Sequence, residues 1–426
     1  MSLATEHRLA SPNAGATTTD RTPLATSVLC GTVALAWYLM GSGRSYVYDE
    51  SVTIGFFVDA GWLEPFTSQR VANNHPLFSF LSQLVWRAGG TTETWMRLLP
   101  AAFAAASVTT IAWWGTKRYG VRSGLIAALV LGANPLFVHY ARLARGYSLL
   151  LLCALASSIL LQRLVEDSGE AGRRSRELAY VTFAAAGLAT HLYMLLVLAA
   201  HLGLVLARSQ WSLRWVIRWV AVGALAALAY VGSLPERRPG EFRPRFPLET
   251  TFEVLGGTVI SAIVFGAILA AAARAHRADL LSALLPAGLF VVIWTVLTPF
   301  DLYPRFFVIA VPAVAFAAAW AVGRAPAAAL PVLVAAAVSL PVGTPADSGI
   351  RSTASVLTDV VSDGGVACAV GSEALTAYLR DIPEFTPELD CDVIAAVGSW
   401  EPAGLRDARQ TLNIARHIGQ VEIFGT

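Results

Sequence analysis

Residues 46–53, YVYDESVT, set two carboxylates side by side, Asp49 and Glu50, shortly after a strongly apolar run. A carboxylate so placed can take a proton from an incoming hydroxyl or amine, the work of a general base. Ionisable and aromatic groups recur at the ends of later apolar runs. His75 stands in NNHPLF, Arg97 in WMRLLP, and Arg142, Arg145 and Tyr147 in HYARLARGYSLL. His191 and Tyr193 share THLY, and Tyr303 and Arg305 share FDLYPRFF. A guanidinium is a planar fork of donors that can bind a phosphate and stabilise it as it leaves. Aromatic rings near a membrane interface can hold a lipid chain or stack on a sugar. A carboxylate, several arginines and a membrane-embedded site together suit group transfer from a lipid-linked phosphate.

Each group also has a plainer role. Paired carboxylates at a helix start complement the helix dipole. Arginines at helix ends snorkel to lipid headgroups. His191 and His201 on apolar helices can serve helix–helix packing, and His75 before a proline can mark a helix start.

The elements that must position these groups follow from composition. The chain has 426 residues, 55% hydrophobic and 14% charged, with mean hydropathy +0.57. Soluble proteins carry about 25% charged residues, so this is a membrane-class composition. A net charge of +2 offers no footing for nucleic acid. A spanning helix needs about 20 mostly apolar residues. Runs at 24–41, 95–115, 123–139, 146–163, 178–190, 193–207, 215–232, 252–273, 280–298, 305–323 and 326–341 predict about eleven spans. The shorter stretches 50–62 and 76–88 read as amphipathic helices lying in the interface.

Arginine placement orients the chain. With the polar tail 1–22 in the cytoplasm, the inner loops collect Lys117, Arg118, Arg122, Arg163, Arg173, Arg174, Arg176, Arg208, Arg214 and Arg218. That is the expected enrichment, and it puts Asp49 and Glu50 on the extracytoplasmic side. The chain then divides into the tail, a transmembrane domain at 23–341 with an outer loop at 41–94, and an extracytoplasmic domain at 342–426. In the last part VACAV, DVIAAVG and VEIFG read as strands, with helical stretches before, between and after the first two, a small α/β unit. Cys368 and Cys391 fall in it, and the sequence leaves their pairing open.

The ordered segments YDE, NNHPLFSFLSQLVWRAGG, WMRLLPAAFAA, YARLARGYSLLLL, THLYMLL and YPRFFVIAVPAVA resemble the GT-C glycosyltransferases over residues 24 to 325. The nearest branch is the dolichyl-phosphate-mannose protein mannosyltransferase-like group, which includes the lipid A aminoarabinose transferases. The resemblance implies a mainly α, polytopic membrane fold with interfacial helices. It also implies a polyprenyl-phosphate sugar donor and an inverting displacement. Asp49 would be the general base, with Glu50 positioning the acceptor or the base. His75 would lie near the donor phosphate or the acceptor, Arg145 and Arg305 would contact the phosphate, and Arg97 would support the site. Arg142, Tyr147, His191, Tyr193 and Tyr303 complete the expected substrate-binding set. The partners are membrane lipid and a glycan, lipid or protein acceptor, with no cofactor and no required metal. The family often has His-Pro-Pro where this chain has His75-Pro76-Leu77, which loosens the phosphate role of that loop. A transporter or flippase of lipid-linked sugars, and a non-catalytic scaffold whose last domain binds a partner, are the competing readings.

Overall fold

The computed structural model describes residues 22–68, 74–166, 169, 171–230, 247–276, 308–341, 348–370, 375, 377–379, 391, 393–397, 413–418 and 421–425. The expected span at 280–298 and the site candidates Tyr303 and Arg305 lie outside them.

The first half builds the frame: α1 (Thr22–Tyr38), α2 (Tyr48–Thr53), α3 (Glu64–Thr67), α4 (Pro76–Arg87), α5 (Glu93–Tyr119), α6 (Val121–Ala133), α7 (Pro135–Ala141) and α8 (Tyr147–Glu166). The second continues with α9 (Arg173–Thr190), α10 (Met194–Ala207), α11 (Leu213–Ala227), α12 (Pro247–Val254), α13 (Val259–Ala275), α14 (Val311–Arg324) and α15 (Ala329–Ser339). Among the described residues, α5 and α8 are each long and apolar enough to cross a bilayer alone. Helices α6 and α7 pass the same test only when taken together, as a pair bent by 67°. The main core gathers buried side chains such as Ile111, Leu131, Phe137, Leu151, Val311 and Val332, contributed by six of these helices. Small residues between them, Ala104, Ala127, Ala315 and Ala318 among others, let the helices approach closely where lipid gives no hydrophobic drive to association.

Two expected continuous spans are broken. The run 123–139 bends by 67° at Asn134. Asn134 caps α7, its Oδ1 accepting from the Phe137 amide at 3.1 Å, and Pro135 cannot continue the preceding helix. The run 252–273 is divided between α12 and α13 by Gly256 and Gly257, at φ +101° and +69°, before the Thr258 cap. The two breaks meet: Asn134 Nδ2 donates to the Val254 carbonyl at 2.9 Å.

Helices α2 to α4 form a cap at one end of the bundle, the end that carries Asp49. A single wider π turn, Ile54–Val58, continues α2. Helix α4 turns its polar residues inward: Ser79, Ser82 and Gln83 are buried, while Leu84 is 43% exposed. Gln83 Nε2 donates to the carbonyls of Phe57 and Gly61 at 2.7 and 2.8 Å, binding α4 to the preceding loop.

The C-terminal unit packs α16 (Ile350–Ser362) on a four-stranded sheet of β1 (Ala367–Val370), β2 (Val393–Val397), β3 (Asn413–Ile418) and β4 (Val421–Gly425), in the order β1-β2-β4-β3. Strands β1 and β2 are parallel, and the other two pairs are antiparallel. Ile350, Ala354 and Leu357, at helical spacing, bury against Ala367, Ala369 and Ala395. Strand β3 corrects the expected helix before VEIFG. Only Gly419 and Gln420 separate it from β4 in the sequence, the spacing of a tight hairpin. Cys368 and Cys391 are joined by a disulfide, with Cα atoms 5.9 Å apart.

Candidate active site

Helix α2 carries both carboxylates, and the fold gives them different surroundings. Glu50 is fully buried. As the third residue of the helix it turns back, and its Oε2 accepts from the Val47 amide at 2.9 Å. Arg97 Nε donates to Oε1 at 2.8 Å and Nη2 to Oε2 at 2.5 Å. The Ala144 amide adds a fourth bond, to Oε1 at 2.6 Å. Arg97 is spent in turn: Nη1 donates to the carbonyls of Ser42 and Arg44 at 2.7 and 2.5 Å, and Nη2 to that of Ser45 at 2.9 Å. All five guanidinium N–H groups are thereby used. A buried ion pair persists where such hydrogen bonds satisfy both charges. This pair is a clasp holding residues 42–50, α5 and the turn between α7 and α8 together.

Asp49, the neighbouring residue, is only half-buried. Its carbonyl accepts from Thr53 Oγ1 at 2.9 Å and from Arg145 Nη1 at 3.0 Å. Arg145 Nη1 also donates to Thr53 Oγ1. Arg145 is fully buried, with its guanidinium 6.0 Å from the centre of the Tyr147 ring. Arg142 is 4% exposed, donates to the Trp37 carbonyl at 3.1 Å, and lies over the Trp37 ring.

A ring cluster adjoins this arrangement. His75 meets Tyr147 edge-on at 4.8 Å between centroids and lies 5.0 Å from His191. Tyr140 stands 4.6 Å from Tyr147, and Tyr193 stands 5.0 Å from His191. Gly146 permits the approach, since a Cβ there would come within 2.9 Å of His75 Cβ and Nδ1. His75 and Tyr147 are buried, whereas His191 and Tyr193 are half-buried. The structure thus brings nine expected site residues to one end of the bundle. Asp49, His191 and Tyr193 are the ones with exposed surface; Glu50, His75, Arg97, Arg142, Arg145 and Tyr147 sit behind them.

The C-terminal unit closes on the same turn. Tyr378 Oη accepts from the Tyr46 amide at 3.0 Å and donates to Glu93 Oε1 at 2.7 Å. Ser348 Oγ donates to the Tyr46 carbonyl at 2.6 Å, and the Ala377 amide to Ser51 Oγ at 3.3 Å. Arg351 Nε donates to Glu93 Oε1 at 2.7 Å, and its Nη2 to the Gly43 carbonyl at 2.9 Å. Burial, with Glu93 beside them, pushes the Tyr46 and Tyr378 phenols above the ordinary tyrosine range. Sequence reasoning missed these clasping residues, whose partners lie some three hundred positions away. It also missed Thr53, although Thr53 stands one helical turn after Asp49.

No family model matches the chain, and no characterised protein matches it by sequence. Four chains of solved structures match it as folds, ArnT structures among them. ArnT from Cupriavidus metallidurans in the apo state aligns with TM-score 0.59 and 13% identity, covering 93% of this chain and 97% of that one. The same protein bound to undecaprenyl phosphate aligns with TM-score 0.57 and 14% identity over the same shares. The chain has the ArnT fold. It is the mainly helical membrane-type fold expected from the order of the motifs, matched over 93% of the chain. Within this ArnT fold the likeness concerns the backbone, and the side chains argue for themselves.

Proposed function

We propose that the chain is an integral membrane glycosyltransferase that moves a sugar from a polyprenyl-phosphate donor to an acceptor at the extracytoplasmic face. The observation that carries this reading is the placement of Asp49: a carboxylate with open surface, fixed through its own backbone to buried Arg145, in a fold shared with a protein solved with undecaprenyl phosphate.

In the proposed step the Asp49 carboxylate takes the proton of the acceptor hydroxyl or amine. The acceptor atom attacks the anomeric carbon opposite the phosphate, and the bond to the phosphate oxygen breaks. The carrier phosphate leaves with the electron pair, and the configuration inverts. Arg145 supplies positive charge beneath the turn and, with Glu50 and Arg97, fixes its position. A buried positive charge favours the leaving phosphate by its field without touching it. His191 and Tyr193 are the described residues placed to meet donor or acceptor. Arg305 keeps the phosphate-contacting role, and Tyr303 the substrate-binding role, that the resemblance implies for them.

The test is turnover. Purified protein in lipid is incubated with a panel of polyprenyl-phosphate sugars and candidate acceptors, and free carrier phosphate is measured. Release with one donor class supports the reading. Binding of donor with no release under any acceptor, alongside transbilayer movement of the lipid-linked sugar, would replace the transferase with a flippase.

A further inference from the structure

At the other end of the bundle lies a basic cleft that plays no part in the chemistry above. Helix α9 begins at Arg173 and delivers Thr190 to the ring cluster, so its first turn stands about 27 Å from the Asp49 end. There α9 and α11 enclose an open cleft of about 740 Å³, lined by Gly172, Arg173, Arg174, Glu177, Arg214 and Arg218. Four arginines face a single carboxylate. Glu177 Oε1 is shared between Arg173, at 3.1 Å, and Arg218.

Arg218 is the telling residue. It is 5% exposed, yet among the described residues its Nε and Nη1 have no hydrogen-bond partner. A buried guanidinium with unfilled donors is costly unless an acceptor arrives. Gly172 gives α9 no side-chain cap, and Gly172 to Ser175, at the positive end of the helix dipole, line the cleft. Both features ask for an anion. Helix α11 then shows which kind. Leu213, Ile217 and Val220, one stripe at helical spacing, are 72%, 59% and 65% exposed beside Arg214 and Arg218. Trp211, half exposed, stacks near Trp219 at 5.8 Å, the placing of an interfacial aromatic.

We propose that this cleft is a binding site for a phosphate anion, filled by the headgroup of an anionic phospholipid whose acyl chain lies along Leu213, Ile217 and Val220. The arginines hold the phosphate, and the apolar stripe leads from the headgroup towards the bilayer centre. The site lies a full helix length from Asp49 and stands independently of the proposed transferase activity.

The experiment uses full-length protein, stripped of lipid and exposed to phosphatidylglycerol or phosphatidylcholine, with retained lipid counted by native mass spectrometry. Arg174→Gln/Arg214→Gln removes two exposed arginines and leaves the buried Arg218 in place; unchanged thermal unfolding certifies its fold. The expected result is selective retention of phosphatidylglycerol by the wild type and a loss of about tenfold or more in the double variant. Protection of the wild type alone by inorganic phosphate, with equal lipid retention by both proteins, would keep the anion site and overturn the lipid. Equal lipid retention and no phosphate effect would overturn the site itself.

Discussion

Arg145 donates to the carbonyl oxygen of Asp49 at 3.0 Å, joining residues 96 positions apart. Because the bond is to the backbone, it fixes where the Asp49 side chain starts. The neighbouring Glu50 is held through its carboxylate instead, by Arg97. Two adjacent acids are thus put to different uses by two arginines.

The amide variant Asp49→Asn keeps the Arg145 bond and the shape of the side chain while removing the base. Turnover should fall by about 10²–10⁴-fold, the usual worth of general-base catalysis, with the unfolding temperature unchanged. Wild-type release of carrier phosphate by this variant would end the assignment.

Breaking the Glu50–Arg97 clasp should act on stability. Either Glu50→Gln or Arg97→Met leaves a buried charge without its partner, a loss of about 3–5 kcal/mol. The pair Glu50→Gln/Arg97→Met should cost less than the sum of the two, because no stranded charge remains. Thermal unfolding in detergent measures all three; strict additivity would show that the clasp is not a unit.

Tyr378→Phe removes one acceptor and one donor from the contact between the C-terminal unit and residues 46–51. The Tyr46 amide and Glu93 lose a partner, at about 1–3 kcal/mol, and amide exchange at residues 46–51 should quicken. The pH dependence has a definite sign. Burial raises the folded-state pKa of Tyr378, so its contribution is complete below the ordinary tyrosine value near 10 and is lost as pH climbs above it. Exchange at residues 46–51 should therefore accelerate in alkali in the wild type and less so in Tyr378→Phe. Identical alkaline profiles would separate Tyr378 from the docking.

Gly146→Ala would bring a methyl group within 2.9 Å of His75 and Thr190. Overpacking of this kind costs about 1–3 kcal/mol, and here it should spread His75 away from Tyr147 and His191. Donor binding should weaken more than stability falls. A variant with wild-type donor affinity would show the ring cluster to be packing alone.

Much of this end of the molecule is legible in the sequence because its parts sit in short, ordered motifs. YDE, HPL, MRL and ARGYS mark Asp49, His75, Arg97 and Arg145, and hydropathy places most of the helices that carry them. Burial is not legible: nothing local says that Glu50 and Arg97 are sealed from solvent while Asp49 is half-buried. The clasp of Ser348, Arg351 and Tyr378 is silent as well, since it depends on how a separate unit docks. The break at Asn134-Pro135 does carry a turn signal, which the continuous apolar run masked. Strand β3 was hidden by a short mixed sequence whose partner lies just beyond it.

Glu50 has a consequence for biosynthesis. Its carboxylate binds Arg97, 47 positions later, and the Ala144 amide, 94 positions later, while Tyr378 reaches back 332 positions to Tyr46. As the nascent chain threads into the bilayer, the acid at position 50 waits for Arg97 until α5 begins, and for the Ala144 amide until α7 has been laid down. The turn bearing Asp49 gains its last contact only after residue 378 has left the ribosome.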